Sequence, residues 1–392
     1  MSIKNEHTAG NPPEKSGGMT SAISDFCIRP DTSIRDAIVH IDRSARISIA
    51  LLLDEEGRFL NTITDGDIRR AILAGIPLES PVRELLPIKA RLPHPDALTA
   101  PAGTPETELL GLMKERGVRQ IPLLDPERRV ADVVILKDLL PQVQSLMQAV
   151  IMAGGQGARL RPLTENCPKP MLPVAGRPLM ELTLEKLQQA GIRNVKISTN
   201  YLSDQIMRHF GDGSDFGVEL TYLNENLPMG TAGALNLMKP PEETVLVING
   251  DVLTEVDFQS LLEYHQEHGA DMTVGVRQYA FQVPYGVVDC EGAAVRGLRE
   301  KPEISFFVNA GIYLIEPGVY EYIPAGQKFD MTDLIQRLIA EGGTVVSFPI
   351  MEYWLDVGRH ADYERAQSDA STGKYMHHQR ARRADGNTPS PL

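Results

Sequence analysis

The stretch from Ala149 to Pro178 reads AVIMAGGQGARLRPLTENCPKPMLPVAGRP, an apolar strand followed by a glycine-rich turn and a basic segment punctuated by prolines. Gly154, Gly155 and Gly157 allow close approach of a ligand, because a residue without Cβ leaves room for backbone N–H groups to face phosphate. Such a turn alone is more often an ordinary loop, and its spacing fits neither the P-loop nor the dinucleotide fingerprint. The continuation changes the reading. Arg159 and Lys169 lie on a segment stiffened by Pro162, Pro168, Pro170 and Pro173, and a bidentate guanidinium with a point-charge ammonium suits a polyphosphate.

Downstream, apolar periodicity predicts a helix over 179–190, a strand over 195–199 and a helix opening at Ser203 as N-cap. A strand over 218–223, a helix over 231–238, a strand over 244–248 and a helix over 258–268 follow. This alternation implies parallel strands with ligands at their carboxyl ends. From Ala270 to Phe348 the chain is strand-rich, with one helix over 331–340. Asp251 follows the strand 244–248 in Asn249-Gly250-Asp251, and Asp356 closes the apolar run before Gly358. A carboxylate at such a strand end suits Mg²⁺ bridging phosphates, although the same letters also make plain turns. His265 and His268 stand one turn apart in a polar segment that reads as a solvated surface, and Met229 and Trp354 read as packing residues.

The segment from Gly154 to Pro178 closely resembles the signature of the sugar-1-phosphate nucleotidyltransferases, which make NDP-sugars from an NTP and a sugar 1-phosphate. The resemblance implies an α/β, Rossmann-like (GT-A-like) mixed sheet. It assigns Arg159 and Lys169 to the triphosphate and the charge developing on it, Asp251 and Asp356 to Mg²⁺, and the glycines to the nucleotide. Arg299-Glu300-Lys301-Pro302 matches the family's Glu-Lys-Pro motif, so Lys301 is expected on the sugar phosphate, with Glu300 and Asn309 on the sugar. The loop Glu225 to Gly233 matches the base-reading segment, with Gly230 approaching the ring. A carboxylate only accepts hydrogen bonds, and guanine offers adjacent N1–H and N2–H₂ donors, so Glu225 favours GTP. The expected activity is guanylyl transfer, as in the CBS-fused GDP-sugar-forming members similar to glucosamine-1-phosphate and mannose-1-phosphate guanylyltransferases of cell-surface polysaccharide biosynthesis. Uridylyl or thymidylyl transfer, and a non-catalytic nucleotide sensor, are the rivals.

Ahead of this region an order of helix, strand, turn, strand and helix occurs twice, and shifting Thr64 and Asp67 by 71 positions lands on Ile135 and Asp138. Repetition implies a unit that buries its face against its twin. These residues resemble a tandem pair of CBS repeats, which implies an adenine nucleotide between the copies, held by Thr64 and Asp67. An equal alternative is that the acids only occupy the first turns of helices, where the macrodipole favours them. The expected organisation is a disordered leader over 1–22, the regulatory CBS pair over 23–141, the catalytic domain over 148–371 and a disordered basic tail over 372–392, with His377, His378, Arg380, Arg382 and Arg383.

At 392 residues two domains fit, and a net charge of −13 argues against a nucleic-acid partner. Without an apolar run long enough for a membrane or a signal peptide, a cytoplasmic location is expected. Cys27, Cys167 and Cys290 are widely spaced and odd in number, which fits reduced thiols. The expected partners are the two substrates, the adenine nucleotide, Mg²⁺ and further copies of the chain in a homo-oligomer.

Overall fold

The computed structural model describes residues 21–43, 47–139 and 147–375. The expected leader up to residue 20, most of the expected linker, and the basic residues beyond 375 lie outside the described residues. The chain divides into two compact units, residues 1–142 and 143–392.

In chain order the first unit contains α1 (Ser21–Ser24), β1 (Cys27–Ile28), α2 (Ile34–Arg43), β2 (Ile49–Leu53), β3 (Phe59–Thr64), α3 (Asp65–Leu73) and α4 (Leu86–Lys89), then β4 (Ala100–Pro101), α5 (Glu106–Arg116), β5 (Gln120–Leu124), β6 (Val130–Ile135) and α6 (Leu136–Leu139). It forms two three-stranded sheets, β1-β2-β3 and β4-β5-β6. The register itself repeats: Ile49 pairs with Thr64 and Gln120 with Ile135, both displaced by 71 positions. So does the hairpin turn, in which Gly57 (φ +80°) corresponds to Arg128 (φ +62°). Ile49, Leu51, Leu53 and Phe59 of the first copy share one core with Val130, Val133 and Ile135 of the second, so each copy covers apolar surface that the other cannot bury alone.

Thr64 and Asp67, the residues expected at an adenine nucleotide, have partners within the protein. Thr64 is the N-cap of α3 and forms a reciprocal capping box with Asp67. The Asp67 carboxylate is buried and occupied by Arg70 at 2.7 Å and Lys89 at 2.6 Å. Burial alone would raise its pKa, but Lys89 and Arg70 outweigh burial and hold it below the usual carboxylate range. Both side chains serve the fold.

The second unit contains β7 (Met147–Met152), β8 (Pro173–Val174), β9 (Arg177–Pro178), α7 (Leu179–Gln189), β10 (Asn194–Thr199), α8 (Ser203–Phe210), β11 (Glu219–Asn224), α9 (Gly230–Gly233), β12 (Thr244–Asn249), β13 (Val252–Thr254) and α10 (Phe258–Glu267), then β14 (Met272–Gln282), β15 (Val287–Glu291), β16 (Ala294–Arg299), β17 (Glu303–Ile315), α11 (Met331–Ala340), β18 (Val345–Pro349), β19 (Trp354–Asp356) and α12 (His360–Thr372). Seven strands make the main sheet in the order β11-β10-β7-β12-β17-β14-β18. The first four are parallel, while β17 runs antiparallel to both β12 and β14, which makes the sheet mixed. Alternate residues of β7 feed opposite layers. Ala149 and Ile151 pack with α7, α8 and α10, and Val150 lies in the core that includes Leu334 and Leu338 of α11. Burial on both faces explains why this strand reads as an apolar run from Ala149 to Met152.

Several local expectations change. Ser203 is the first residue of α8, and Leu202, in a left-handed conformation, precedes it as the cap without a side-chain bond. The helix expected over 231–238 is a short α turn followed by a 3₁₀ turn. Order continues past 371, because Thr372 ends α12 and Tyr375 is buried against Tyr353. At the other end, Ile23 is buried within α1, inside or just past the expected leader. His265 is not a surface residue. It is 1% exposed, with Nδ1 2.8 Å from Thr273 Oγ1 and Nε2 2.9 Å from Glu316 Oε1. Its partners come from β14 and the end of β17, so the helix-local polar pattern did not reveal them. Among the described residues no helix is long and apolar enough to cross a membrane.

Two stability predictions follow from these buried groups. Asp67→Ala strands Lys89 and Arg70 without their shared counter-charge and is expected to cost roughly 3–5 kcal/mol, read as a lower urea midpoint of the first unit. The wild-type contribution of this carboxylate is complete above about pH 4 and is lost on further acidification. For His265, burial lowers the pKa more than Glu316 raises it. Its neutral form is therefore favoured in the fold, and stability falls as pH drops below about 6.5, where the unfolded chain takes up the proton that the native state resists. Urea titrations at pH 7.5 and 5.5 should show a smaller pH effect in His265→Gln than in the wild type.

Candidate active site

The site begins where β7, β10 and β12 end. The Ala153 N–H donates to Ser198 O at 2.8 Å and the Gly250 N–H to Met152 O at 2.9 Å, so backbone pairing continues past the strands into the loops. A Cβ on Gly250 would lie 2.9 Å from Met152 O, which requires glycine there for the two chains to meet.

The three glycines after β7 serve different purposes. A Cβ on Gly154 would lie 2.5 Å from Glu225 Oε1, and one on Gly157 (φ +62°) would lie 2.9 Å from the Thr164 methyl. Those two glycines admit neighbouring protein groups. Around Gly155 nothing lies within 4 Å, so only there does the missing side chain open onto free space. Thr164 holds the turn in place, donating from Oγ1 to Gly157 O at 2.8 Å.

Gly155, Gly157, Ala158 and Arg159 line one side of a cleft of about 210 Å³, and Lys169, Asp251 and Gly358 complete it. Lys169 sits in a 3₁₀ turn between Pro168 and Pro170, and its largely buried ammonium is ion-paired with Asp251. Asp356 arrives on β19, which pairs antiparallel with β13: Val252 faces Asp356, and the Val357 N–H donates to Asp251 O at 3.0 Å. Burial raises the Asp356 pKa, the charge of Asp251 raises it further, and Lys169 and Arg159 oppose both. The arrangement is two oxygen-donor acids beside two cations. Among the described residues no group of three or more His, Cys, Asp or Glu converges to hold a metal. Two carboxylates, with phosphate oxygens and waters for the rest, are nevertheless the usual protein share of a Mg²⁺ site.

Other expected site residues are placed differently. Glu225 is half-buried, and its carboxylate accepts from Ser198 Oγ through Oε1 and from the Met229 N–H at 2.8 Å through Oε2. Gly230 (φ +78°) is glycine because a Cβ would lie 2.5 Å from Asp330 Oδ1 and 2.6 Å from Phe329 O. Its missing side chain admits the start of α11. Glu300 and Lys301 occupy the exposed turn between β16 and β17, with Lys301 left-handed at φ +43°. Asn309 accepts the Gly311 N–H at 2.9 Å. None of these three lines the cleft. Trp354 does pack, donating from its indole N–H to Ala310 O at 2.9 Å.

The sequence reading passed over Ser198, Asn200, Ala158 and Gly358. Ser198 and Asn200 stand at the carboxyl end of β10, where the rule for parallel sheets places ligand-facing groups, so strand position was the available signal.

Over residues 148–373 the chain matches the family described as Nucleotidyl transferase, and over 19–74 and 88–144 that described as CBS domain. It is 33% identical over 241 residues to a UTP–glucose-1-phosphate uridylyltransferase of Synechocystis sp., covering 56% of this chain and 62% of that protein. It is 35% identical over 234 residues to a mannose-1-phosphate guanylyltransferase of Mycobacterium tuberculosis, covering 58% and 65%. The matches thus span less than two thirds of these curated relatives. A crystal structure of a putative glucose-1-phosphate thymidylyltransferase from Bacillus anthracis aligns with 57% of this chain and 94% of its own at 27% identity and a TM-score of 0.46.

The glycines can be told apart by experiment. Gly157→Ala should lower stability by about 1–3 kcal/mol, because the left-handed backbone and the Thr164 contact both oppose a side chain. Gly155→Ala should melt like the wild type, because nothing lies within 4 Å of the added Cβ.

Proposed function

Because the chain belongs to the nucleotidyl transferase family, we propose that its second unit transfers a nucleotidyl group from an NTP to a sugar 1-phosphate and releases pyrophosphate. The observation that carries the reading is the convergence of Gly155, Arg159, Lys169 and Asp251 on one cleft, with Asp356 close enough to feel the charges of Asp251, Lys169 and Arg159. A phosphate oxygen of the sugar attacks the α-phosphorus as the bond to the β-phosphate oxygen breaks, and that oxygen leaves with the electron pair as pyrophosphate. Attacker and target are both anionic, so the protein mainly aligns them and neutralises charge. No general base is required, since the attacking phosphate is already ionised near neutral pH.

Arg159, exposed at the cleft, spreads its charge over the outer phosphates. Lys169 exchanges Asp251 for a phosphate oxygen when substrate binds. The backbone at Gly155 lies against the nucleotide. Asp251 and Asp356 would hold Mg²⁺, which supplies positive charge to the phosphates when bound. Glu300, Lys301 and Asn309 retain their sugar-side roles as part of the same proposal.

The donor we favour is GTP, giving a GDP-sugar, because the relatives include several named as mannose-1-phosphate guanylyltransferases. UTP is the second reading, supported by the Synechocystis relative.

Pyrophosphate release with GTP, UTP, dTTP, CTP and ATP, each against a panel of sugar 1-phosphates, tests both levels of the proposal. Turnover fastest with GTP is expected; a preference for UTP or dTTP would replace the donor, and silence with every pair would remove the activity. Lys169→Ala and Asp251→Asn should keep the wild-type circular dichroism while kcat falls about 100-fold or more.

A further inference from the structure

Residues 277–309 differ from the strands that lead into and out of them. Met272 to Val276 of β14 and Ala310 to Ile315 of β17 are buried, but from 277 to 309 no residue is. The two strands stay paired with each other, Gln278 with Phe307, Tyr279 with Phe306 and Phe281 with Ile304. Their outer neighbours stop short: β18 pairs with β14 only as far as Val276, and β12 with β17 only as far as Ile312. An arm made of the β14–β17 ribbon and the β15–β16 hairpin therefore has no strand on its outer edges among the described residues.

The polarity of the arm is sorted by face. Residues opposed in an antiparallel pair, and those two apart along a strand, share a face. Tyr279, Phe281, Ile304 and Phe306 accordingly lie together, with the Phe281 and Phe306 rings stacked at 6.2 Å between centroids. On the hairpin the same rule groups Val288 and Cys290 with Leu298 and Val295, whereas the opposite side pairs Asp289 with Arg299 at 3.2 Å. A two-stranded hairpin is marginal by itself, and one sorted in this way normally lays its apolar side on a core. Here Phe306 is 54%, Val295 66% and Leu298 66% exposed.

We propose that the arm is a contact surface between two copies of this chain, which bury its apolar faces against one another about a two-fold axis. Three observations select a second copy as the occupant. The arm holds eight of the fifteen large apolar side chains exposed among the described residues, so the surface that matches it best is itself, and a patch that fits itself is what a two-fold contact requires. By contrast, the large apolar side chains exposed on the described part of the first unit are the aliphatic Val39, Leu60 and Leu73, and the terminal stretches 1–20 and 376–392 contain no Phe, Tyr, Trp or Val. Charge points the same way. Two copies of a chain of net charge −13 repel each other, and residues 278–288 contain no Asp, Glu, Lys or Arg, which makes this a face on which they can approach. The area is also sufficient. Tyr279, Phe281 and Phe306, each about half exposed, would remove on the order of 300 Å² per copy. With the hairpin side chains the contact reaches most of the ~800 Å² per partner of a stable interface.

Sedimentation velocity of the full chain at micromolar concentration tests the proposal. The wild type is expected to run as a dimer or a multiple of one. Phe281→Glu with Phe306→Glu, or Val295→Glu alone, should halve that mass, because each places carboxylates from both copies in the apolar seam. Ile339→Glu, an exposed position on α11, is the control and should keep the wild-type mass. Phe281→Ala with Phe306→Ala shortens only exposed side chains and should raise the Kd of the dimer about tenfold without disturbing the fold. A monomeric wild type, the result expected if a different protein covers the arm, would overturn the proposal. So would glutamate variants that keep the wild-type mass, or a Kd unchanged in the alanine pair. The outcome is independent of pyrophosphate release, so failure of the transfer reading and failure of this one are distinguishable.

Discussion

Asp251 and Asp356 repel one another across the β13–β19 ribbon, and burial strengthens the effect because less water screens it. The architecture around them responds to that repulsion. Lys169 is held by flanking prolines against Asp251, and Arg159 stands close enough to Asp356 to lower its pKa. The glycine-rich turn must bend so that Arg159 faces the acids, which depends on Thr164 gripping Gly157. On the proposed function, a cleft assembled in this way exchanges internal ion pairs for an incoming polyanion and its cation. Such exchange needs little rearrangement of the backbone, because the charges are already in place.

Much of this was legible from sequence because it depended on local pattern. The apolar run from Ala149 to Met152 marked a buried strand, and Asp251 just beyond β12 was found by the same strand-end logic. The repeated register in the first unit appeared as a spacing of 71 before any pairing was known. What escaped were side chains whose partners come from distant segments. His265 looked solvated because its neighbours in sequence are polar, yet Thr273 and Glu316 enclose it. The bond from Ser198 to Glu225 could not be read from the loop that carries Glu225. Thr64 and Asp67 match a ligand-binding pattern that is also a capping box, and the carboxylate's partner Lys89 comes from α4.

The glycines make the same point at the scale of a single atom. Five of them, Gly154, Gly155, Gly157, Gly230 and Gly250, are indistinguishable as letters. In the fold only Gly155 opens onto free space, and the others admit a carboxylate, a methyl group, an α11 cap or a neighbouring carbonyl. A motif rich in glycine therefore records how tightly several chain segments pass one another as much as it records a ligand.

The β13–β19 ribbon has a further consequence for biosynthesis. Its first strand leaves the ribosome with the parallel core, whereas its second follows α11 and β18, near the end of the described chain. A nascent polypeptide arrested before Trp354 would already hold the whole glycine-rich turn, Lys169 and Asp251, but would lack the acid that completes the pair. On the proposed function, such a product would lack one of the two carboxylates, and the acid pair is complete only once β19 has been made.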